Sequence, residues 1–199
     1  LGAGLETVHI LAGGGNDSVD LSNLIFAGGI TVRGGDGDDL LIGSAQVDHQ
    51  FGGSGNDILI GGPGNDVQYG ETGDDLFGNP TVDADGTPDD PGSDQNFGGS
   101  GTDVFVWEPG DGTDHNQGGD EGGDSFRFFG RDAADTMTLR SDDGETGLEA
   151  IFNAAAIINQ GIENVLVDPL GDNDTIIVDD LSVTEVASVA IVAGGGDEA

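Results

Sequence analysis

The sequence has no cysteine, and only 4 Lys+Arg stand against 39 Asp+Glu. Without thiols, disulfide staples and thiolate metal sites are excluded, and redox chemistry says nothing about compartment. A formal charge of −35 over 199 residues repels nucleic acid and anionic lipid, so phosphate-binding functions are disfavoured. Long apolar runs are also missing. The longest, Ala150 to Ile158, is interrupted by Asn153 and is too short to span a bilayer, so no membrane insertion is expected. Catalytic signatures are equally scarce. His9, His49 and His115 are isolated with no HExxH pair, and no GxSxG elbow occurs. Paired carboxylates arise by chance in so acidic a chain and carry no glycosidase signal. The chain is expected to perform no catalysis. The charge would disorder an ordinary sequence of 35% apolar content, and counter-cations remove that conflict.

What is abundant is glycine, 39 residues of it, arranged with a period. From Gly34 to Gly78 the chain reads GGDGDDLLI, GSAQVDHQF, GGSGNDILI, GGPGNDVQY, GETGDDLFG, five consecutive nine-residue units. The first and third fit GGxGxDxUx, with U a large apolar residue, at every fixed position. Glycines at positions one, two and four permit a tight turn over the first six residues. The last three, such as Leu40-Leu41-Ile42 and Ile58-Leu59-Ile60, favour a short strand whose middle residue faces inward. Two turns and two strands make a coil of eighteen residues, so alternate turns stack on one edge. This places Asp39, Asp57 and Asp75 in one column and Asp48 and Asp66 in another. Stacked carboxylates repel unless a cation lies between them, and an all-oxygen ligand set selects a hard ion, calcium rather than zinc or copper.

The flanks carry the same idea with longer strands. Residues 5 to 24 align without a gap on 162 to 181, pairing Val8 with Val165 and Ile10 with Val167, and a third copy starts at Val186. Their steps are 22 and 24 residues against eighteen, which predicts wider coils of one solenoid. The chain divides into wider coil at 1–33, nonapeptide roll at 34–78, an acidic Pro/Gly-rich loop at 79–97, a repeat-like continuation at 98–127, and wider coils at 128–199, all in one continuous domain. Within the loop, Asp83-Ala84-Asp85-Gly86 followed by Asp89-Asp90 partly resembles other calcium loops, and a solvated acidic loop is the alternative. Residues 147 to 160, GLEAIFNAAAIINQ, are the candidate for a short helix. Leu1 is not a natural start and the chain stops in mid-pattern, which reads as a piece of a longer protein.

With GGDGDDLLI, GGSGNDILI, GGPGNDVQY and GGSGTDVFV, the last at Gly98 to Val106, the chain resembles the RTX, or haemolysin-type, calcium-binding repeat proteins. The resemblance implies an all-β, right-handed parallel β-roll holding several Ca²⁺ ions. It further implies that position-six carboxylates bridge stacked turns while carbonyls of positions one, three and five complete each sphere. Carried over, Asp39, Asp57, Asp66, Asp75 and Asp103 supply carboxylates. Carbonyls come from Gly34, Asp36 and Asp38; Gly52, Ser54 and Asn56; Gly61, Pro63 and Asn65; Gly70, Thr72 and Asp74; and Gly98, Ser100 and Thr102. Asp48 belongs to a unit in which Ser44 and Gln46 replace two glycines, which weakens its pairing with Asp66. Asp17, Asp124 and Asp174 sit in looser copies. The family is exported by type I secretion and folds on meeting calcium outside the cell, which implies a secreted or cell-surface location.

The expected role is a calcium-dependent structural or adhesive module of a larger bacterial protein. The alternative is a secretion and folding module of an enzyme whose catalytic domain lies outside these residues. Partners are less legible. Leu40, Ile42, Ile58, Ile60, Val67 and Tyr69 fall at outward positions while Gln50 and Gln68 fall inward. Either the apolar stripe is covered, by another segment of the parent protein or by self-association, or the strand shifts and turns Phe51 and Tyr69 inward.

Overall fold

The computed structural model describes residues 7–79, 90–130, 136–141, 148–152, 155–168, 174–179, 181 and 184–192. Every regular element among them is a strand, and the strands lie in two sheets, alternating between them except at residues 136–160, where three successive strands share one. The first sheet holds, in spatial order, β1 (Thr7–Gly14), β3 (Gly29–Asp36), β5 (Asp48–Ser54), β7 (Val67–Thr72), β9 (Gln95–Ser100), β11 (His115–Glu121), β15 (Ala155–Gln160), β14 (Leu148–Phe152), β13 (Thr136–Ser141) and β17 (Thr175–Val178). The second holds β18 (Ser188–Ile191), β16 (Asn164–Asp168), β12 (Ser125–Phe129), β10 (Val104–Trp107), β8 (Leu76–Phe77), β6 (Ile58–Ile60), β4 (Leu40–Ile42) and β2 (Ser18–Asp20). Apart from β14, which lies antiparallel among the odd strands, odd strands on one side and even strands on the other, joined in parallel, make the β-roll.

Register follows the repeat length. Through the nonapeptides the step is 18 residues, as in Val32 beside Gln50 and Leu41 beside Leu59. It widens to 22 between β1 and β3, to 28 between β7 and β9, and to 24 between β16 and β18. The flanking copies stack as the alignment implies, Val165 on Val189 and Val167 on Ile191, although Val8 lies in the opposite sheet.

Residues 148–152 and 155–160 form antiparallel strands, not the expected helix. With β13 they make a three-stranded meander that β15 joins in parallel to β11. Ala154 to Ala156 favour a helix, but burial alternates with period two: Leu148, Ala150 and Phe152 are buried while Glu149 and Ile151 are not. Packing of that face overrides propensity.

The space between the sheets is filled unequally. On the second sheet the middle residue of each short strand points inward, giving a column Leu41, Leu59, Phe77, Phe105, Phe126 and Val165. Phe77 and Phe105 stack at 4.8 Å, and Trp107 stacks on Phe128 at 5.4 Å. The first sheet contributes Ile30 and Val32 at β3 and Met137, Leu139, Leu148 and Ile157 near its other end, with amides on the strands between. Gln68 Nε2 donates to Gln50 Oε1 at 2.6 Å, and Asn96, Asn116 and Asn159 form a second ladder with steps of 2.9 Å. An in-register amide column pairs buried polar groups along its length, leaving Gln68 Oε1, Asn96 Oδ1 and Asn159 Nδ2 without a partner.

The strand shift that would turn Phe51 and Tyr69 inward does not occur. Gln50 and Gln68 are fully buried, and Phe51, Tyr69 and Phe97 form a half-buried outer stack with centroids 5.0 and 4.9 Å apart. Arg33 caps it, 3.8 Å over the Phe51 ring. On the other sheet Leu40, Ile42, Ile58 and Ile60 are also half-buried, each shielded by its neighbour in the ladder. No helix among the described residues is long and apolar enough to cross a membrane.

Candidate metal centre

Each nonapeptide turn ends with its position-six aspartate folded back beneath its own first glycine. The carboxylate Oδ1 accepts the N–H of the aspartate one coil earlier. On one edge the chain of bonds runs Asp17 to Asp39, Asp39 to Asp57, Asp57 to Asp75, Asp75 to Asp103 and Asp103 to Asp124, all between 2.7 and 2.9 Å. It closes with the Asp124 N–H on Glu163 Oε2 at 2.7 Å. On the other edge Asp48, Asp66, Asp94 and Asp114 are linked in the same way at 2.7 to 3.0 Å.

One oxygen of most of these groups is left over. Oδ2 of Asp17, Asp39, Asp57, Asp66, Asp75 and Asp103, and Oδ1 of Asp48, are buried with no hydrogen-bond donor. Leaving a buried polar atom unsatisfied costs about 1–3 kcal/mol and more when it is charged. The geometry around them is that of a cation site. The space above Gly34 is bounded by Asp39 Oδ2 and the Gly52 carbonyl, that above Gly70 by Asp75 Oδ2 and the Gly98 carbonyl, and that above Gly98 by Asp103 Oδ2 and the Gly118 carbonyl. Carboxylate and carbonyl oxygens converging on a site with no donor fit a hard divalent ion such as calcium.

The glycine at position one is therefore needed for a different reason from the one the repeat suggests. Its φ is ordinary at Gly34, Gly52, Gly70 and Gly98, but a Cβ there would collide with the carboxylate. Position two does need the left-handed region. Gly53 has φ of +125°, and Glu71, which replaces glycine in the fifth unit, is held at +79°.

The other predicted positions fall around these columns. The carbonyls of Asp36, Ser54, Thr72 and Ser100 at position three each accept one N–H from the neighbouring coil, which leaves their second lone pair. At position five the side chains bridge coils outside the column. Asp38 Oδ1 accepts the Asn56 N–H, Asn56 Oδ1 that of Asp74, and Asp74 Oδ1 that of Thr102. Gly61, Pro63 and Asn65 lie on the second edge, where Asn65 Oδ1 accepts the Ser93 N–H at 3.2 Å. Asp48 takes its place there despite its degenerate unit. The Ser44 N–H donates to Asp48 Oδ2, and the Gly61 carbonyl lies close by.

Burial dominates the electrostatics of Asp57, Asp66, Asp75 and Asp103, with a hydrogen bond lowering and neighbouring carboxylates raising the pKa of each. Asp57 and Asp103 are pushed up from 3.8 to about 6, Asp75 to about 7, and Asp66 to about 8. Asp94 rises to about 6 and Asp114 to about 8 for the same reason. Such groups are costly to ionise until a cation neutralises them.

Three column members, Asp94, Asp114 and Glu163, escape a search for whole nonapeptides, and Asp124 is marked only weakly by it. A shorter signal finds them. Gly-x-Asp marks column members at 15–17, 37–39, 55–57, 64–66, 73–75, 92–94, 101–103, 112–114 and 122–124, with Gly161-Ile162-Glu163 as its variant, and it also occurs at 34–36, 118–120, 130–132 and 195–197. Asp174 precedes β17, a strand paired with β13. The sequence 83–89 lies outside the described residues.

Comparison with known families agrees with this geometry. A family model for the RTX calcium-binding nonapeptide repeat, four copies long, matches residues 31–49 and 45–77. No curated protein matches the chain. The repeat, the parallel roll and the two carboxylate columns agree with that match, so residues 31–77 carry the RTX calcium-binding nonapeptide repeat.

Proposed function

We propose that this chain is a calcium-loaded structural or adhesive module of a larger secreted or cell-surface bacterial protein, and that it performs no catalysis. The observation that carries the reading is the pair of buried carboxylate columns, most groups with one oxygen bonded across coils and the other lacking a donor. Position-six carboxylates with the position-one, -three and -five carbonyls are the ligands. Extracellular modules bind calcium with Kd on the order of 10⁻⁴ to 10⁻³ M. At about ten times Kd each ion contributes roughly 1.4 kcal/mol, and at a hundredth of Kd almost nothing. Several ions then supply an amount comparable with the whole stability of a domain, roughly 5 to 15 kcal/mol. Such a chain stays unfolded where calcium is scarce and folds where it is plentiful, which suits export. The half-buried stripe of Leu40, Ile42, Ile58 and Ile60 offers a face for another segment of the parent protein or a second copy.

The test uses the single tryptophan. Trp107 is 1% exposed in the fold, so its emission reports assembly directly. Circular dichroism and Trp107 fluorescence are followed through a calcium titration and then chelation. The reading expects β-structure and a blue-shifted emission to appear with calcium and vanish with chelator. Identical spectra with and without calcium would overturn it.

A further inference from the structure

Asp90 has no counterpart in the repeat. The second column fixes which residues stack, because Asp48 lies 18 residues before Asp66, Asp66 lies 28 before Asp94, and Asp94 lies 20 before Asp114. The residues four places before each are Ser44, Gly62, Asp90 and Gly110. A carboxylate thus stands in a row otherwise made of one serine and two glycines. It is not on the surface. Asp90 is 8% exposed, its Oδ2 accepts the Gly61 N–H at 3.2 Å, and its Oδ1 is buried with no hydrogen-bond donor.

That bare oxygen points at another. Asp66 is 1% exposed and its Oδ2 is likewise without a donor. A methyl group built on Gly61 would lie 2.6 Å from Asp66 Oδ2 and 2.9 Å from Asp90 Oδ1, so both oxygens border the space that this glycine leaves open. One oxygen each from Asp66, Asp90 and Asp94 lies within 4.8 Å of the other two. Three carboxylates this close, two of them with unpartnered buried oxygens, repel strongly unless a cation is shared among them. At Gly34, Gly70 and Gly98 the position-six carboxylate is met by a carbonyl, whereas here a side chain from another position enters.

We propose that Asp66, Asp90 and Asp94 form a three-carboxylate divalent-cation site, of the calcium class, that clasps the coil entering at residue 90 to the coil above it. The inference rests on the calcium reading above and adds a ligand and a place to it. Affinity of oxygen sites rises with the number of charged ligands, so this site fills before its neighbours. Its position matters for folding. At this junction the step between stacked strands lengthens from 18 to 28 residues, and a longer excursion costs more chain entropy to close. A tight site tying residue 66 to residues 90 and 94 acts on that closure.

The experiment is a calcium titration by calorimetry on the full chain, with Trp107 emission checking folding first. The variants are D90G, which installs the residue found at Gly62 and Gly110, and D90N, which keeps the shape and removes the charge. Both are expected to fold in calcium and to bind one ion fewer, or to show the tightest class weakened at least tenfold, with the remaining sites unchanged. D90E, which returns the charge on a longer arm, restores part of the affinity. Wild-type number and affinities in D90G and D90N overturn the site. If both variants unfold at calcium levels that fold the wild type, recovery at tenfold higher calcium supports the site and failure to recover at any calcium level counts against it. A wild-type chain that binds no calcium overturns the proposed function instead.

Discussion

Replacing Asp57 by asparagine separates the two things this aspartate does. Its Oδ1 accepts the Asp39 N–H at 2.8 Å, a bond that asparagine keeps, while its Oδ2 faces the space above Gly52, where asparagine would place an N–H₂ group. With chelator at pH 8, the wild-type fold must hold a buried carboxylate whose pKa is pushed up from 3.8 to about 6. At about 1.4 kcal/mol per pH unit that is a penalty of at most roughly 3 kcal/mol, reduced by solvent screening, and D57N does not have it. With calcium the balance reverses. D57N loses an ion worth about 1.4 kcal/mol at ten times Kd, or about 2.7 at a hundred times, and aims a donor at a cation. The assay is urea unfolding followed by Trp107 emission, in calcium and in chelator, with sucrose present to favour the compact metal-free state. D57N should be the less stable protein in calcium and the more stable one in chelator. A loss of equal size in both would mean that Asp57 acts through packing and hydrogen bonding alone, and the cation argument would fail.

Other outcomes follow from the same geometry. Since burial raises the folded-state pKa of Asp57, Asp75 and Asp66 to about 6, 7 and 8, the metal-free fold binds more protons than the unfolded chain between about pH 4 and 8. With sucrose present to hold the metal-free state folded, its urea midpoint in chelator should therefore rise as pH falls through that window, whereas calcium affinity measured by calorimetry should weaken over the same range. Phe105→Ala opens a cavity in the aromatic column against Phe77 and should cost about 3–5 kcal/mol in calcium, read from urea midpoints. Asn116→Leu strands the Asn96 and Asn159 amides that it joins, and should cost about 1–3 kcal/mol while leaving the number of calcium ions bound unchanged.

Much of the roll could be read directly because the repeat specifies turns, strands and spacing together. An eighteen-residue period places Asp39, Asp57 and Asp75 in one column, and the structure links them by bonds of 2.8 Å. What the period does not contain was harder to see. Asp94 and Asp114 follow turns that have lost the leading glycine pair, so only the glycine two residues before each aspartate marks them. Asp90 could not be placed, because its row depends on how many residues the excursion before it adds to the coil. The segment 148–160 misleads for another reason. Its alanines favour a helix locally, while its alternating large residues fit a strand only once a sheet edge at β11 is there to receive it.

The central claim is that divalent ions occupy the columns between stacked turns. Crystals grown in calcium and measured at long wavelength would locate the ions by their anomalous scattering. The account predicts a row of peaks beside Asp39, Asp57, Asp75 and Asp103, with a further row beside Asp48 and Asp66. Well-ordered turns in the same map with no peak at any of these carboxylates would contradict it.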